Sequence, residues 1–143
     1  GIPQPTRSVI PLFSDFTLEE FNEFTKRMII HTMPAGEQIV KEGDTGRSVF
    51  ILTRGGVRVT ATIAGKKVDL AVLQPSDFFG EIAFLTGMPR TATVETTEES
   101  DVLEVAEKDL NDMIAKSPRI REVLRNYHEM RVKSTLEKVK AVI

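Results

Sequence analysis

Residues 79–94 read Phe-Gly-Glu-Ile-Ala-Phe-Leu-Thr-Gly-Met-Pro-Arg-Thr-Ala-Thr-Val and combine an anion-binding turn with a carboxylate. Gly80 and the short apolar segment after it predict a tight turn into a helix start, where free backbone N–H groups and the helix dipole favour a phosphate. Arg90 adds a planar, permanently charged donor group. A phosphate would repel Glu81, so we expect Glu81 to bind a sugar hydroxyl beside it. The stretch therefore predicts a site for a sugar phosphate of low charge.

Residues 79–94 lie inside a long region with the two-residue period of short strands. This region runs from Ile30 to Ala106 and is interrupted by glycine- and proline-containing turns. Residues 57–63 alternate apolar and polar side chains, as a half-buried antiparallel strand requires. Residues 49–52 are continuously apolar, which indicates a strand covered on both faces. Seven or eight strands at this spacing favour a sandwich or jelly-roll barrel over a parallel α/β fold.

A helix is predicted before the strands. Thr17 and Glu20 have the spacing of a capping box, and Phe16 and Phe21 flank it as a hydrophobic staple. Apolar residues at three- and four-residue steps continue this helix through about residue 29. The alternative, that its phenylalanines form a ligand box, is weaker than a role in the core.

Two more helices are predicted after the strands. Residues 110–114 mark a short helix, and Ser117 with Pro118 starts a second one. At about 100° per residue this last helix has two apolar stripes more than a quarter-turn apart. The first stripe contains Ile120, Val123, Leu124 and Tyr127, and the second contains Val132, Leu136, Val139 and Ile143. The second stripe needs a bound ligand, another subunit or a following domain as its partner, unless the helix end is frayed.

Composition excludes several classes of function. The chain has 143 residues and a formal net charge of −2, so we expect one domain and no direct nucleic-acid partner. It has no cysteine and two histidines far apart in sequence, which argues against a metal centre and against a cysteine nucleophile. No apolar run reaches the roughly 18 to 20 residues of a membrane span, and no secretory signal is visible. These features predict a cytoplasmic protein with no membrane span in this chain.

Residues 79–94 resemble the phosphate-binding cassette of the cyclic nucleotide-binding domain family, F-G-E-[IL]-A-x(6)-R-[TA]-A-[TS]-V, including the spacing from Glu81 to Arg90. Glycines and apolar residues between positions 36 and 59 match the family's first half of the roll. Residues 9–14 are similar to the usual lead into its N-terminal helix. The resemblance covers nearly the whole chain.

This resemblance implies a mainly β fold, an eight-stranded antiparallel β-roll (jelly-roll) with an N-terminal helix and two C-terminal helices. We expect a single domain over residues 1–143. Its N-terminal helical piece spans about 9–29, its roll about 30–106 and its C-terminal helices about 107–143. The family usually has glycine where this chain has Ser76, and serine is strained there if the turn needs a positive φ.

The resemblance also implies residue roles. Glu81 binds the ribose 2′-hydroxyl and Arg90 binds the exocyclic phosphate oxygens. Thr91 permits cGMP by reaching the guanine amino group with the base syn, and members that prefer cAMP can have threonine there too. The remaining implied contacts, from backbone or cavity wall, are those of Gly80, Ile82, Ala83 and Ala92. Family members commonly cover the base with a residue of the last helix, for which Tyr127, Met130 and Arg131 are the candidates.

The sequence thus predicts a regulatory sensor, not an enzyme, with cAMP or cGMP as ligand and no other cofactor. Ligand binding is expected to move the C-terminal helices and to act on an unidentified effector domain or subunit. The last helix also offers a surface for homo-oligomer formation. One alternative is a ligand-free β-roll that serves in assembly. Another is a metal-dependent enzyme on a similar barrel, which would need clustered histidine and acidic ligands that the sequence lacks.

Overall fold

The computed structural model describes residues 16–142, with the backbone alone for Tyr127, Arg131, Val132 and residues 134–142. Its helices and strands are α1 (Leu18–Thr25), β1 (Ile29–Met33), β2 (Gln38–Val40), β3 (Val49–Arg54), β4 (Val57–Ile63), β5 (Lys66–Leu73), β6 (Phe78–Phe79), α2 (Glu81–Thr86), β7 (Thr93–Thr96), β8 (Ser100–Val105), α3 (Glu107–Lys116) and α4 (Arg119–Val142).

The eight strands of the described part form two four-stranded sheets. The first sheet has the order β1-β8-β3-β6 and the second has the order β2-β7-β4-β5. Every strand pair is antiparallel. The predicted eight-stranded antiparallel roll with flanking helices is therefore confirmed. The short helix α2 lies within the roll, between β6 and β7.

Strand β3 contributes to two separate cores because successive side chains of a strand point to opposite faces. Phe50 and Leu52 lie between the two sheets, with apolar residues from both. Val49 and Ile51 face the helices, where they pack with side chains of α1, α3 and α4. All four side chains are buried, which confirms the prediction that residues 49–52 are covered on both faces.

Helix α1 begins as predicted but is shorter. The Thr17 hydroxyl accepts a hydrogen bond from the Glu20 backbone N–H at 3.2 Å and donates one to Glu20 Oε1 at 3.0 Å. The helix ends at Thr25 instead of near residue 29. Ile29 already pairs with Glu104 of β8, so strand pairing takes over where the helical period of apolar residues was expected to continue.

Helices α3 and α4 follow the predicted pattern. The carbonyl of Ser117 accepts a hydrogen bond from the Ile120 N–H at 3.1 Å at the start of α4. Ile120 and Leu124 of the first stripe are fully buried against the helical core. The second stripe lies outside the residues whose side chains are described, and its role stays a prediction. None of the helices in the described part is both long and apolar enough to span a membrane.

The turn Gln74–Asp77 leads the chain into β6 and the cassette. Ser76 has φ +82°, so the family's usual glycine is replaced by serine at a left-handed position. The turn is held by hydrogen bonds from the Asp77 N–H to the Gln74 carbonyl at 3.0 Å and from the Ser76 N–H to the Leu52 carbonyl at 2.8 Å. An L-residue other than glycine is strained in this conformation.

We predict that Ser76→Gly stabilises the domain by about 0.5–1 kcal/mol, because relief of the strain exceeds the extra chain entropy that glycine loses on folding. Urea unfolding measures the difference. Ser117→Gly is the control, since Ser117 has φ −140° and glycine there adds an entropy cost without relieving strain. The control should lose stability. A Ser76→Gly domain that is no more stable than the parent would contradict a strained turn.

Candidate functional site

A cavity of about 490 Å³ lies between the second sheet, helix α2 and helix α4. All seven predicted site residues line it: Gly80, Glu81, Ile82, Ala83, Arg90, Thr91 and Ala92. Apolar side chains of β4 and β5 form the opposite wall, including Val59, Ala61, Leu70 and Ala71. The sequence pattern had identified these strands without assigning them to a site. The cavity thus has one polar side and one apolar side.

Gly80 produces the predicted turn into a helix. It has φ +86° and is the N-cap of α2, which starts at Glu81. A Cβ atom on Gly80 would lie 2.8 Å from both the Arg90 Nη1 atom and the Ser48 carbonyl oxygen. Glycine is therefore required at position 80 for two reasons: its backbone has a positive φ, and a Cβ atom would occupy the space of the Arg90 side chain.

Arg90 is buried, with 7% of its surface exposed. Its Nη1 donates to the Gly80 carbonyl at 3.0 Å, and its Nη2 donates to the Ser48 carbonyl at 3.0 Å. The guanidinium carbon lies 5.8 Å from the centre of the Phe50 ring. These bonds use two of the five guanidinium N–H groups. The side chain is thus fixed at the polar side of the cavity by carbonyls of the protein itself.

The charge of Arg90 has no direct counterion in the described part of the chain. Burial lowers the pKa of its guanidinium, while the carboxylates of Glu104 and Asp44 oppose this shift. Among the described residues none forms an ion pair with it within 4.0 Å, and a guanidinium stays protonated at neutral pH. A buried cation whose charge is only partly balanced favours an anion in the adjoining cavity.

Glu81 and Thr91 line the same cavity as this cation. Glu81 is 1% exposed and opens helix α2, and Thr91 is exposed at the cavity wall. Residues 91–94 alternate polar and apolar side chains, which would suit a strand that begins at Thr91, but β7 begins at Thr93. The carbonyl of Arg90 instead accepts a hydrogen bond from the Gly43 N–H at 2.9 Å, and Thr91 and Ala92 line the cavity.

His128 of α4 is a cavity residue that the sequence analysis missed. Its Nδ1 atom is buried without a hydrogen-bond partner. The signal was present, because His128 follows Leu124 by four residues and continues the buried face of α4. Three residues were expected as candidates to cover the base. The prediction for Met130 is wrong, since its side chain is 68% exposed and does not line the cavity. The side chains of Tyr127 and Arg131 lie outside the described part.

Within the described residues, no group of three or more histidine and acidic side chains is placed to hold a metal ion. The donor set at the cavity instead consists of one guanidinium, carboxylates, hydroxyls, backbone amides and one imidazole. This combination suits a ligand with one anionic group, hydroxyls and an apolar body.

Comparison with known proteins identifies a family that this chain matches. Residues 30–117 match the family model described as the cyclic nucleotide-binding domain. A cyclic nucleotide-gated potassium channel from Rhizobium etli is 30% identical over 118 residues, covering 82% of this chain and 32% of the channel. The chain therefore spans about a third of the length of this relative.

Two solved structures have the same fold. The catabolite activator protein of Thermus thermophilus matches with a TM-score of 0.79 and 25% identity, over 92% of this chain and 62% of the activator. The regulatory domain of Toxoplasma gondii PKA, crystallised with cAMP, matches with a TM-score of 0.69 and 27% identity, over 74% of this chain and 42% of that one. With its cassette, its two-sheet roll and these matches, the chain belongs to the cyclic nucleotide-binding domain family.

Proposed function

We propose that this domain is a sensor for a cyclic purine nucleotide, cAMP or cGMP, and that it binds the ligand without chemical turnover. The buried guanidinium of Arg90, held at the wall of a cavity of about 490 Å³, is the observation that carries the proposal. The cyclic phosphodiester has one negative charge, which matches a single arginine. The relatives named above, a nucleotide-gated channel and a kinase regulatory domain crystallised with cAMP, support this ligand class.

The polar side of the cavity accounts for the sugar phosphate. Arg90 neutralises the phosphate, and the amides of Ile82 and Ala83 in the first turn of α2 donate to its oxygens, together with the amide near Ala92. Glu81 accepts the ribose 2′-hydroxyl and so distinguishes ribose from deoxyribose. A carboxylate beside an anion is unfavourable unless such a donor lies between them.

The apolar side of the cavity accounts for the base. Residues of β4 and β5 and Thr91 all line the cavity. In this proposal the purine packs on the β4 and β5 wall and the Thr91 hydroxyl meets the base folded back over the sugar. His128 approaches from α4 with a buried, unpartnered Nδ1, which gives the base a polar partner on the helix. We propose His128 as the residue that covers the base.

Ligand binding is coupled to the C-terminal helices through the helical core. Phe84 of α2 packs in the same cluster as Ile120 and Leu124 of α4. A ligand held by both α2 and His128 binds one arrangement of α4 more tightly than others, and this differential affinity shifts the helix. In this proposal the N-terminal helical piece, the roll and the C-terminal helices act together as one ligand-binding domain.

The output of the sensor lies in an effector that this sequence does not identify. The similar proteins include a potassium channel, a catabolite activator protein and a PKA regulatory domain. Domains of this family are therefore found in proteins with different effectors. We propose that an effector domain or subunit, or a second copy of this chain, contacts the end of α4. A cytoplasmic location and the absence of direct nucleic-acid contact are parts of the same proposal.

Replacing Arg90 with alanine should weaken binding of cAMP and cGMP roughly tenfold to more than a hundredfold, because each charge-assisted hydrogen bond contributes about 1.5–3 kcal/mol. Calorimetric titration measures the change. Arg58→Ala is the matched control, since Arg58 is exposed on β4 and does not line the cavity. If neither nucleotide gives heat or thermal stabilisation at millimolar concentration with the parent, a ligand-free assembly module replaces the sensor.

Replacing Glu81 with alanine should remove discrimination at the ribose. The parent is expected to bind cAMP more tightly than 2′-deoxy-cAMP, and Glu81→Ala should bind the two with similar affinity. Glu95→Ala, on β7 and outside the cavity lining, serves as the control and should keep the parent's preference. A preference for cAMP that survives in Glu81→Ala would assign the 2′-hydroxyl to another group.

Replacing Thr91 with alanine should reduce affinity for cGMP more than affinity for cAMP, because only guanine has an exocyclic amino group at the position that the hydroxyl reaches in the syn conformation. The ratio of the two dissociation constants, measured on the same protein preparation, is the readout. Equal losses for the two nucleotides would reject the contact with syn guanine.

A further inference from the structure

A chain of polar contacts runs from Arg90 away from the cavity. The Ser48 carbonyl that accepts from Arg90 belongs to a residue whose hydroxyl donates to Glu104 Oε2 at 2.6 Å. The other carboxylate oxygen, Oε1, lies 2.9 Å from His31 Nε2. A partly exposed histidine is thereby connected to the buried arginine through a serine and a glutamate.

Glu104 lies behind the site, not in it. It is on β8, the strand between β1 and β3, and it pairs in register with Ile29 on one side and Phe50 on the other. Arg90 lies over the ring of that same Phe50. Glu104 does not line the cavity, so it influences a bound anion through Arg90 and through its charge.

The carboxylate of Glu104 is ionised. Burial alone would raise its pKa, but hydrogen bonds from Ser48 and His31, with the charges of His31 and Arg90, bring the pKa below its ordinary value. Glu104 in turn stabilises the charged form of Arg90. The two residues attract each other across Ser48 without forming a direct ion pair.

We propose that Glu104 competes with the nucleotide phosphate for the charge of Arg90 and so limits the affinity of the site, and that protonation of His31 relieves this competition. The inference rests on the proposed function. Its physical basis is that a fixed carboxylate near a cationic site repels an incoming anion, and a positive imidazolium beside that carboxylate cancels much of its charge.

Several other charged groups lie near the series of contacts that connects His31 to Arg90. Asp44 also acts on Arg90, and Arg47, beside Ser48, pairs with Glu107 of α3 at 3.4 Å. Strand β1 has no titratable side chain besides His31. Among the described residues, three titratable groups besides Arg90 line the cavity itself: Glu42, Glu81 and His128.

Histidine is the side chain type whose ordinary pKa lies closest to neutral pH. The sequence contains two histidines and no cysteine, and carboxylates of ordinary pKa stay ionised there. A dependence of nucleotide affinity on pH between about 6 and 8 can therefore be assigned to His31 or His128 by substituting each in turn.

The test is calorimetric titration with cAMP and cGMP at about pH 6 and about pH 8 and constant low ionic strength, on the parent, Glu104→Gln, His31→Gln and His128→Gln. Glutamine at 104 keeps an oxygen that accepts from Ser48 but removes the charge. We expect the parent to bind more tightly at the lower pH. Glu104→Gln should bind about three- to tenfold more tightly than the parent at the higher pH and show little pH dependence.

His31→Gln should lose the tightening at low pH, whereas His128→Gln, whatever its affinity, should keep it. Glu95→Gln controls for a change of net charge and should resemble the parent. The inference is overturned if Glu104→Gln binds no more tightly than the parent, or if the low-pH tightening survives in His31→Gln. If Glu104→Gln does not fold, the two histidine variants decide alone. Absence of binding by the parent at both pH values would instead refute the proposed function.

Discussion

The burial of one guanidinium is the constraint on which the rest of this site depends. Arg90 donates to carbonyls at two separate places in the chain, Gly80 at the start of α2 and Ser48 just before β3. Its own backbone N–H donates to the backbone carbonyl of Asp44 at 2.7 Å, so the loop before β3 is fixed to the same residue. Placing a cation here is costly unless it is solvated by dipoles. The carbonyls provide that solvation, and the remaining imbalance favours an anion in the cavity.

The two cores of the roll connect this polar site to the helices. Phe79 packs between the sheets, stacked on Phe50 at 5.3 Å, while its neighbour Phe78 faces the helical core. One residue later the chain turns at Gly80 into α2, whose Phe84 joins that same helical core. In the proposed mechanism a displacement at the cassette would change the packing of α4, because a densely packed interior transmits such a shift instead of absorbing it.

The features that could be predicted are those that depend on local chemistry. Gly80 and Arg90 are identifiable from residue type and spacing, and the strain at Ser76 follows from a glycine position held by serine. The end of α1 and the start of β7 could not be read from local periodicity, because pairing with β8 and β4 decides them. The link from His31 to Arg90 depends on β1, β8 and β3 lying side by side, and local sequence patterns do not predict this strand order.

Amide hydrogen exchange with and without cAMP or cGMP tests the central claim that a nucleotide binds between the cassette and α4. We expect slower exchange at residues 80–83 and 90–92 and at the α4 turn around His128, with no such protection in Arg90→Ala. Nucleotide binding that left all three segments unchanged, or that protected them equally in Arg90→Ala, would contradict it.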